Sequence, residues 1–403
     1  SPIFQIRPPA LSALGPSDTM LPRTVIVLGL VSLLNDAASE MITPLLPIFL
    51  TATLGAGPAI VGFVEGLAEA TASVLKLYSG RLADRGVPAK RLVIGGYALS
   101  NTMRPLIGLA AGWSMVLLLR FLDRVGKGLR TAPRDALIAA ATGPEQRGRA
   151  FGFHRSLDHA GAVIGPLLAF GLLAAQVDLE HVFLASAIPG VLVIALLVFG
   201  LPAAPPVAPV APQRFSWSAL HGRLKAIILA AGLLALASVP EVFVVLWATQ
   251  AGMALTWVPP VWAAASLAKM LIAMPAGILS DRFGRVPLLL GGWSARVAVL
   301  LLLAFAQPGS VGVWALFIAY SATLAVTEPA ERALIGDHAA VSERGTAFGL
   351  YHLTSGLLVL PGALIFGGLW QKLGSTTAFA VAAAVTGLAA IMLLSLARSK
   401  LPE

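Results

Sequence analysis

Apolar residues in this chain come in unbroken runs of about 20, with polar positions gathered between them rather than alternating through them. "VFLASAIPGVLVIALLVFGL" (182–201) carries no charge at all. A run of that length, wound as a helix, crosses the ~30 Å of hydrocarbon in a bilayer. Taking Gly, Pro and charge clusters as punctuation, the pattern predicts twelve helices. They fall at 22–50, 57–82, 89–111, 113–141, 148–175, 181–201, 222–249, 257–281, 286–306, 310–337, 345–371 and 374–397. Strands of a membrane barrel would instead alternate apolar and polar residues. Between the sixth and seventh helices lies "PAAPPVAPVAPQRFSW" (202–217), whose Pro and Ala content predicts a semi-rigid linker. The expected organisation is a segment 1–21, a six-helix unit 22–201, a linker 202–221 and a second six-helix unit 222–398.

Composition sharpens this picture. The 403 residues are 57% hydrophobic and only 12% charged, against roughly 25% charged in soluble domains. The fold expected is therefore an all-α integral membrane protein. The net charge of +9 does not imply nucleic acid, because the cations lie where membrane topology places them. The loops after even-numbered helices, with their flanks, hold Arg81, Arg85, Lys90, Arg91, Arg147, Arg149, Arg214, Arg223, Lys225, Arg282, Arg285 and Arg344. The loops on the other side hold Lys372. Both termini and the linker are thus expected in the cytoplasm, with the chain in the inner membrane. Residues 1–23 hold no apolar core of a cleavable signal, and the chain has no Cys for disulfides or thiolate metal sites.

The chain repeats itself. "GRLADR" (80–85) matches "GILSDR" (277–282), and "DALIAAATGPEQRGRAFG" (135–152) matches "RALIGDHAAVSERGTAFG" (332–349). Asp84/Asp281, Arg85/Arg282, Arg147/Arg344 and Phe151/Phe348 all stand 197 residues apart. Two copies of a six-helix unit in one orientation are the mark of a duplicated transporter. At this point the chain resembles the major facilitator superfamily over residues 22–398. "GRLADRGVPAKR" and "GILSDRFGR" look like its signature G-x-x-x-D-R-x-G-R, the first departing from it with Gly86 directly after Arg85. "LRFLDRVGKG" resembles its fourth-helix arginine motif, at Arg120, and Gly152, Gly161, Gly165 and Pro166 resemble the glycine–proline motif of its antiporters. The resemblance implies two pseudo-symmetric bundles and outer, lipid-facing helices 3, 6, 9 and 12. Helices 3 and 9 carry one interior charge each, Arg104 and Arg296.

An ionisable group at membrane depth is costly unless it is paired or meets water, so each is a candidate for function. On helix 4, the charges from Arg120 to Asp135 fall within an arc of roughly 140°, with Arg120, Asp123 and Arg124 roughly 10–17 Å deep. Helix 2 aligns Glu65, Glu69 and Lys76; helix 1 carries Asn35, Asp36 and Glu40; helix 5 carries His154, Arg155, Asp158 and His159. The second unit offers Glu241 beside Pro240, Glu328, Glu331 and Arg332 in helix 10, and His352 in helix 11. Candidate substrate contacts are Asn35, Arg120, Arg124, Arg155, Asp158, Glu241 and His352. Candidate proton carriers are Asp36, Glu40, Asp123, Glu65 and Glu69, and a static ion-pair network among these helices is the competing reading. Candidate gating residues are Asp84, Arg85, Asp281, Arg282, Arg134, Glu331 and Arg332, the charge signs at 134–135 and 331–332 being reversed between the copies. Gly161, Gly165 and Pro166 are expected to give close packing where the halves meet. Trp262, Trp293 and Trp314 are read as cavity aromatics or interfacial belt anchors, with the belt favoured for most of them.

No phosphate loop, catalytic triad or H-E-x-x-H motif is present, so neither an enzyme nor an ATP-driven pump is expected, and no cofactor or resident metal. The expectation is a monomeric secondary transporter of a small solute, working by alternating access, most simply as proton-coupled efflux. Its partners would be a small-molecule substrate, protons and the lipid bilayer. Uptake or export of an anionic or metal-chelate solute is the alternative, followed by a divalent metal-ion exporter. A non-transporting receptor of the same fold would show degenerate G-x-x-x-D-R loops.

Overall fold

The computed structural model of the chain describes residues 21–84, 87–142, 147–202, 222–338 and 344–398. Among them there is no strand. The helices are α1 (Arg23–Ile42), α2 (Pro58–Asp84), α3 (Ala89–Leu106), α4 (Trp113–Ala140) and α5 (Arg147–Ala174). Helix α6 runs as Leu179–Ala185 and Ala187–Ala195, and α7 as Gly222–Ala237 and Glu241–Gln250. Then follow α8 (Val258–Phe283), α9 (Arg285–Phe305) and α10 (Ser310–His338). The last two, α11 (344–373) and α12 (375–398), meet at Gly374, whose φ of 86° turns the chain where a side chain would be strained.

Breaks fall where the sequence removes hydrogen bonds. Helix α1 loosens at residues 43–45 ahead of Pro47 and resumes as Leu46–Ile48 and a wide turn, Phe49–Thr53. Helix α7 opens before Pro240, and the Tyr320 hydroxyl donates to the freed Val239 carbonyl at 2.6 Å. Most of the helices are apolar enough to be recognised as membrane spans by hydropathy alone. Helices α3 and α4 are not, because Lys90, Arg91 and Arg104 interrupt one and the charges from Arg120 onward the other.

The repeat in sequence is a repeat in packing. In the first half α1 lies on α5, α2 on α4 and α3 on α4. In the second half α7 lies on α11, α8 on α10 and α9 on α10. The closest approaches repeat too. A side chain at Gly165 would run into the Ala37 carbonyl of α1; 197 residues later, one at Gly362 would run into the Leu236 carbonyl of α7. Gly161 makes the same kind of approach to the Leu33 carbonyl. Gly161 and Gly165 thus draw α5 onto α1 inside the first bundle, not onto the other half as expected. Glycines between the halves include Gly62 and Gly66 of α2, facing Ala363 and Leu360 of α11, and Gly356 and Gly367 of α11, facing Ser73 and Pro58–Ala59 of α2.

The apolar core shows how the halves stand. One continuous cluster joins both at the end where α2 and α8 begin, with Phe49, Phe183, Phe243, Phe317 and Trp370 among its members. Toward the other end, which carries the basic loops, the core divides. Leu28, Val93, Ile138 and Leu197 pack within the first half, and Ile228, Leu289, Leu334 and Leu393 within the second. Among the described residues the apolar core is therefore continuous across the halves at the far end and divided between them at the basic end. Its outer surface is strongly apolar, with Ile188, Val191, Phe199, Phe305 and Ile391 facing outward.

Putting the three-carbon isopropyl group of valine at Gly165 or Gly362 overpacks a helix contact that has no slack. Gly165→Val and Gly362→Val are each expected to cost about 1–3 kcal/mol and to lower the melting temperature of the purified protein. Gly171→Val, where nothing lies within 4 Å, is the control and is expected to leave it unchanged.

Candidate functional site

A cavity of about 630 Å³ lies between the halves, just on the basic side of the apolar seal. Glu40 of α1 and Arg155 and His159 of α5 line it from the first half. Glu241 of α7, Trp262 and Lys269 of α8, and Glu328 of α10 line it from the second. The break in α7 makes Glu241 the first residue of a new helical segment, where a carboxylate complements the exposed backbone N–H groups. Lys269 donates to both Glu241 oxygens, at 2.8 and 3.1 Å, and the Ser321 hydroxyl donates to one of them. The Trp262 indole N–H donates to Glu40 at 2.8 Å, a polar bond between the halves. The Lys269 ammonium lies 5.9 Å from the Trp262 ring centre, within cation–π range. The sequence reading singled out Glu40, Arg155 and Glu241 here but missed Lys269, the partner of Glu241. Lys269 was findable by the rule that flagged Glu241, being a cation inside an apolar span. Trp262 lines the cavity, the first of the two places expected for it, while Trp293 is buried rather than in an interfacial belt.

Deeper in the first half lies a buried ion-pair network. Asp123 is fully buried and is shared by three arginines: Arg104 at 2.8 Å, Arg120 at 3.4 Å and Arg124 at 3.7 Å. Arg120 also pairs with Glu65 of α2 at 3.1 Å. Arg104 reaches past Asp123 to the Asn35 side chain at 3.0 Å, and Asn35 accepts from Asn101 and donates to Asp36. Helices α1 to α4 are joined through these contacts. Arg104 therefore faces inward from a helix expected to serve as lipid-facing support. Arg120, Arg124, Asp123, Glu65 and Asn35 are engaged with one another rather than with the central cavity. On α5, Asp158 accepts from Ser32 of α1 at 2.6 Å and from Arg155 at 3.2 Å. Glu69 of α2 lies within the electrostatic reach of Lys127, Arg124 and Lys76.

At the basic end a second cavity, about 670 Å³, is lined by Lys76, Arg134, Asp135, His154, Arg155 and His352, among others. Arg134 pairs with its neighbour Asp135 at 2.9 Å. Glu331 accepts from the Trp293 indole at 3.3 Å and the Tyr351 hydroxyl at 3.4 Å. Among the described residues no ion pair joins Arg134 to Glu331, so the reversed charges do not meet in this conformation. Arg282 is exposed, with its guanidinium 5.4 Å from the Phe283 ring centre, and Pro166 lies inside α5. Arg85 lies outside the described residues, as do the side chains of Asp84, Asp281 and Arg332. Among the described residues, no three His or carboxylate groups gather as a metal site would require.

Two six-helix bundles around a polar cavity, clothed in apolar residues, define a multi-pass membrane protein of the transporter class. The family model for the Major Facilitator Superfamily matches residues 28–268 and 261–403, and the chain belongs to that superfamily. It is 32% identical over 365 residues to the MFS-type transporter MJ1317 of Methanocaldococcus jannaschii, covering 88% of this chain and 90% of that protein. A shorter similarity, 34% over 157 residues and 39% of this chain, links it to the multidrug resistance protein MdtH of Photorhabdus laumondii, 38% of which is covered. Among solved structures, a bacterial homologue of the human lysosomal transporter Spinster, in an inward-facing and occupied conformation, superimposes with a TM-score of 0.76. The match covers 93% of this chain and 96% of that one, at 18% identity, and speaks to the fold.

Asp123 is the one carboxylate common to three arginines, so its neutralisation strands buried charge. Asp123→Asn is expected to cost about 3–5 kcal/mol, read as a large fall in melting temperature or loss of folded protein. Asp135→Asn removes the partner of Arg134 at a half-exposed site and is expected to cost under about 1 kcal/mol.

Proposed function

We propose that the chain is a secondary active transporter that exports a small solute in exchange for protons by alternating access. The observation that carries this reading is the central cavity. Both halves line it with ionisable groups, an apolar seal closes it at one end, and the halves part at the other. By the excess of Lys and Arg in its loops, the split end is cytoplasmic, so the arrangement corresponds to an inward-facing state. Alternating access then requires the seal around Phe49, Phe243 and Trp370 to open while the basic end closes.

Glu40 is the best placed proton carrier. Its carboxylate lines the cavity and holds a bond to Trp262 of the opposite half. A proton arriving there would compete with that bond, which links charge to the contact between the halves. Asp36, one turn earlier, stands against α5 near Asp158 and gives the proton a second station. The partial similarity to MdtH favours efflux over uptake. The anionic-solute reading drew on Arg120 and Arg124, whose charge is met by Asp123 and Glu65.

The test is flux in proteoliposomes carrying an imposed pH gradient, across a panel of amines, organic acids and zwitterions. Transport of the solute that responds is expected to follow the gradient, and Glu40→Gln and Asp36→Asn are each expected to reduce the gradient-driven rate at least tenfold. Flux that ignores the gradient in the wild type would sink proton coupling.

A further inference from the structure

Arg296 sits midway along α9, roughly 16 Å from the helix start at 1.5 Å per residue, and is 3% exposed. Its Nη2 donates to the Thr327 hydroxyl at 2.8 Å and the Thr323 carbonyl at 3.2 Å, both on α10. Its Nε finds no hydrogen-bond partner. Among the described residues no carboxylate lies within ion-pair distance of it, in contrast to Arg104, which rests on Asp123. A guanidinium at membrane depth with donors unspent and no counter-charge is a costly arrangement. An ionisable group of this kind within a membrane span is a candidate functional site.

The space for such a ligand is present. Arg296 lines a pocket of about 230 Å³ between α7, α9, α10 and α11, with Ser238, Thr327, Tyr351 and Ser355 as neutral polar walls. Leu324 and Glu328 line both this pocket and the central cavity, so one opens beside the other. Glu331 is also in the wall, with its two oxygens taken by Trp293 and Tyr351. A bare anion on Arg296 would have Glu328 and Glu331 as neighbours. A molecule with an ammonium beside its carboxylate would meet both signs of charge.

We propose that this pocket is the headgroup site of the transported solute, and that the solute is a small zwitterion. Its carboxylate lies against Arg296 and Thr327, its ammonium faces Glu328, and its body extends into the central cavity. The inference rests on the transporter reading above for its location, but its test reads binding and not flux, so the two can fail separately.

The experiment is thermal stabilisation of the full chain, purified in detergent, by three matched probes: phenylalanine, 3-phenylpropanoate and phenethylamine. Phenylalanine is expected to raise the melting temperature most, 3-phenylpropanoate less, and phenethylamine not at all. Arg296→Gln is expected to weaken phenylalanine binding roughly tenfold or more, the loss of a charge-assisted pair. It is also expected to melt no lower than the wild type without ligand, since it removes an unpaired buried charge. Arg296→Lys, which keeps the charge but not the fork, is expected to bind with intermediate affinity. The proposal is overturned if phenylalanine fails to stabilise the wild type or stabilises Arg296→Gln equally. It also falls if chloride or phosphate alone reproduces the effect, or if Arg296→Gln unfolds while Arg296→Lys binds as the wild type does.

Discussion

A charge in hydrocarbon must find a counter-charge or water, and the first half of this molecule is arranged around that requirement. Asp123 answers three guanidiniums from two helices, and Glu65 takes the remaining face of Arg120. The net stabilisation from such a network is small, because desolvation offsets most of the Coulomb attraction. Its geometric consequence is larger. The forked contacts of Arg104 and Arg120 close only when α1, α2, α3 and α4 stand at their present heights. Each helix is thus placed by its neighbours' charges as much as by apolar packing, which in lipid distinguishes poorly between one helix face and another.

Contacts between the halves follow a different logic. They are made by small residues on α2 and α11 and by aromatics at the far end, including Phe170 stacked on Trp257 at 5.9 Å. Such surfaces separate without stranding a charge. Among the polar bonds that do cross, the Ala59 N–H meets Gln371 at the far rim and the Trp262 indole meets Glu40 beside the cavity. A rigid, charge-locked interior and a slippery, mostly apolar seam are what two bundles rocking against each other require.

Much of this was legible in the chain. Run length and the 197-residue offset carry the span pattern and the duplication, because both are properties of single helices and of sequence alone. Pro240 marks the break in α7, and charge density marks α1, α2, α4 and α5. What sequence could not supply was pairing. A stripe holding Gly161 and Gly165 announces a close approach but does not say to which helix, and the partner is α1. Arg104 and Arg296 look alike as lone cations in apolar spans. One meets Asp123 and the other meets two threonine oxygens, a difference decided by what α4 and α10 present at that height. Opposite signs at Arg134 and Glu331 suggest a pair, yet Arg134 is paired with Asp135 and Glu331 accepts from Trp293 and Tyr351.

The repeat also shows how the halves came to differ. In the first half Glu65 of α2 pairs with Arg120 of α4. The positions 197 residues later are Trp262 of α8 and Phe317 of α10, and these pack edge to face with ring centres 6.0 Å apart. Asp123 corresponds to Tyr320, whose hydroxyl holds the open backbone of α7, and Arg124 to Ser321, which donates to Glu241. One helix contact is therefore ionic in the first copy and aromatic in the second. The substitution removes this ion pair from the second half, where Glu241, paired with Lys269, and Glu328 line the central cavity and Arg296 lines the pocket beside it. In the first copy Asp123, Glu65 and their arginines join helices away from the central cavity, while in the second the Glu241–Lys269 pair lines it. The zwitterionic solute proposed above would then be held mainly by the second half, with Glu40 as the first half's contribution across the seam.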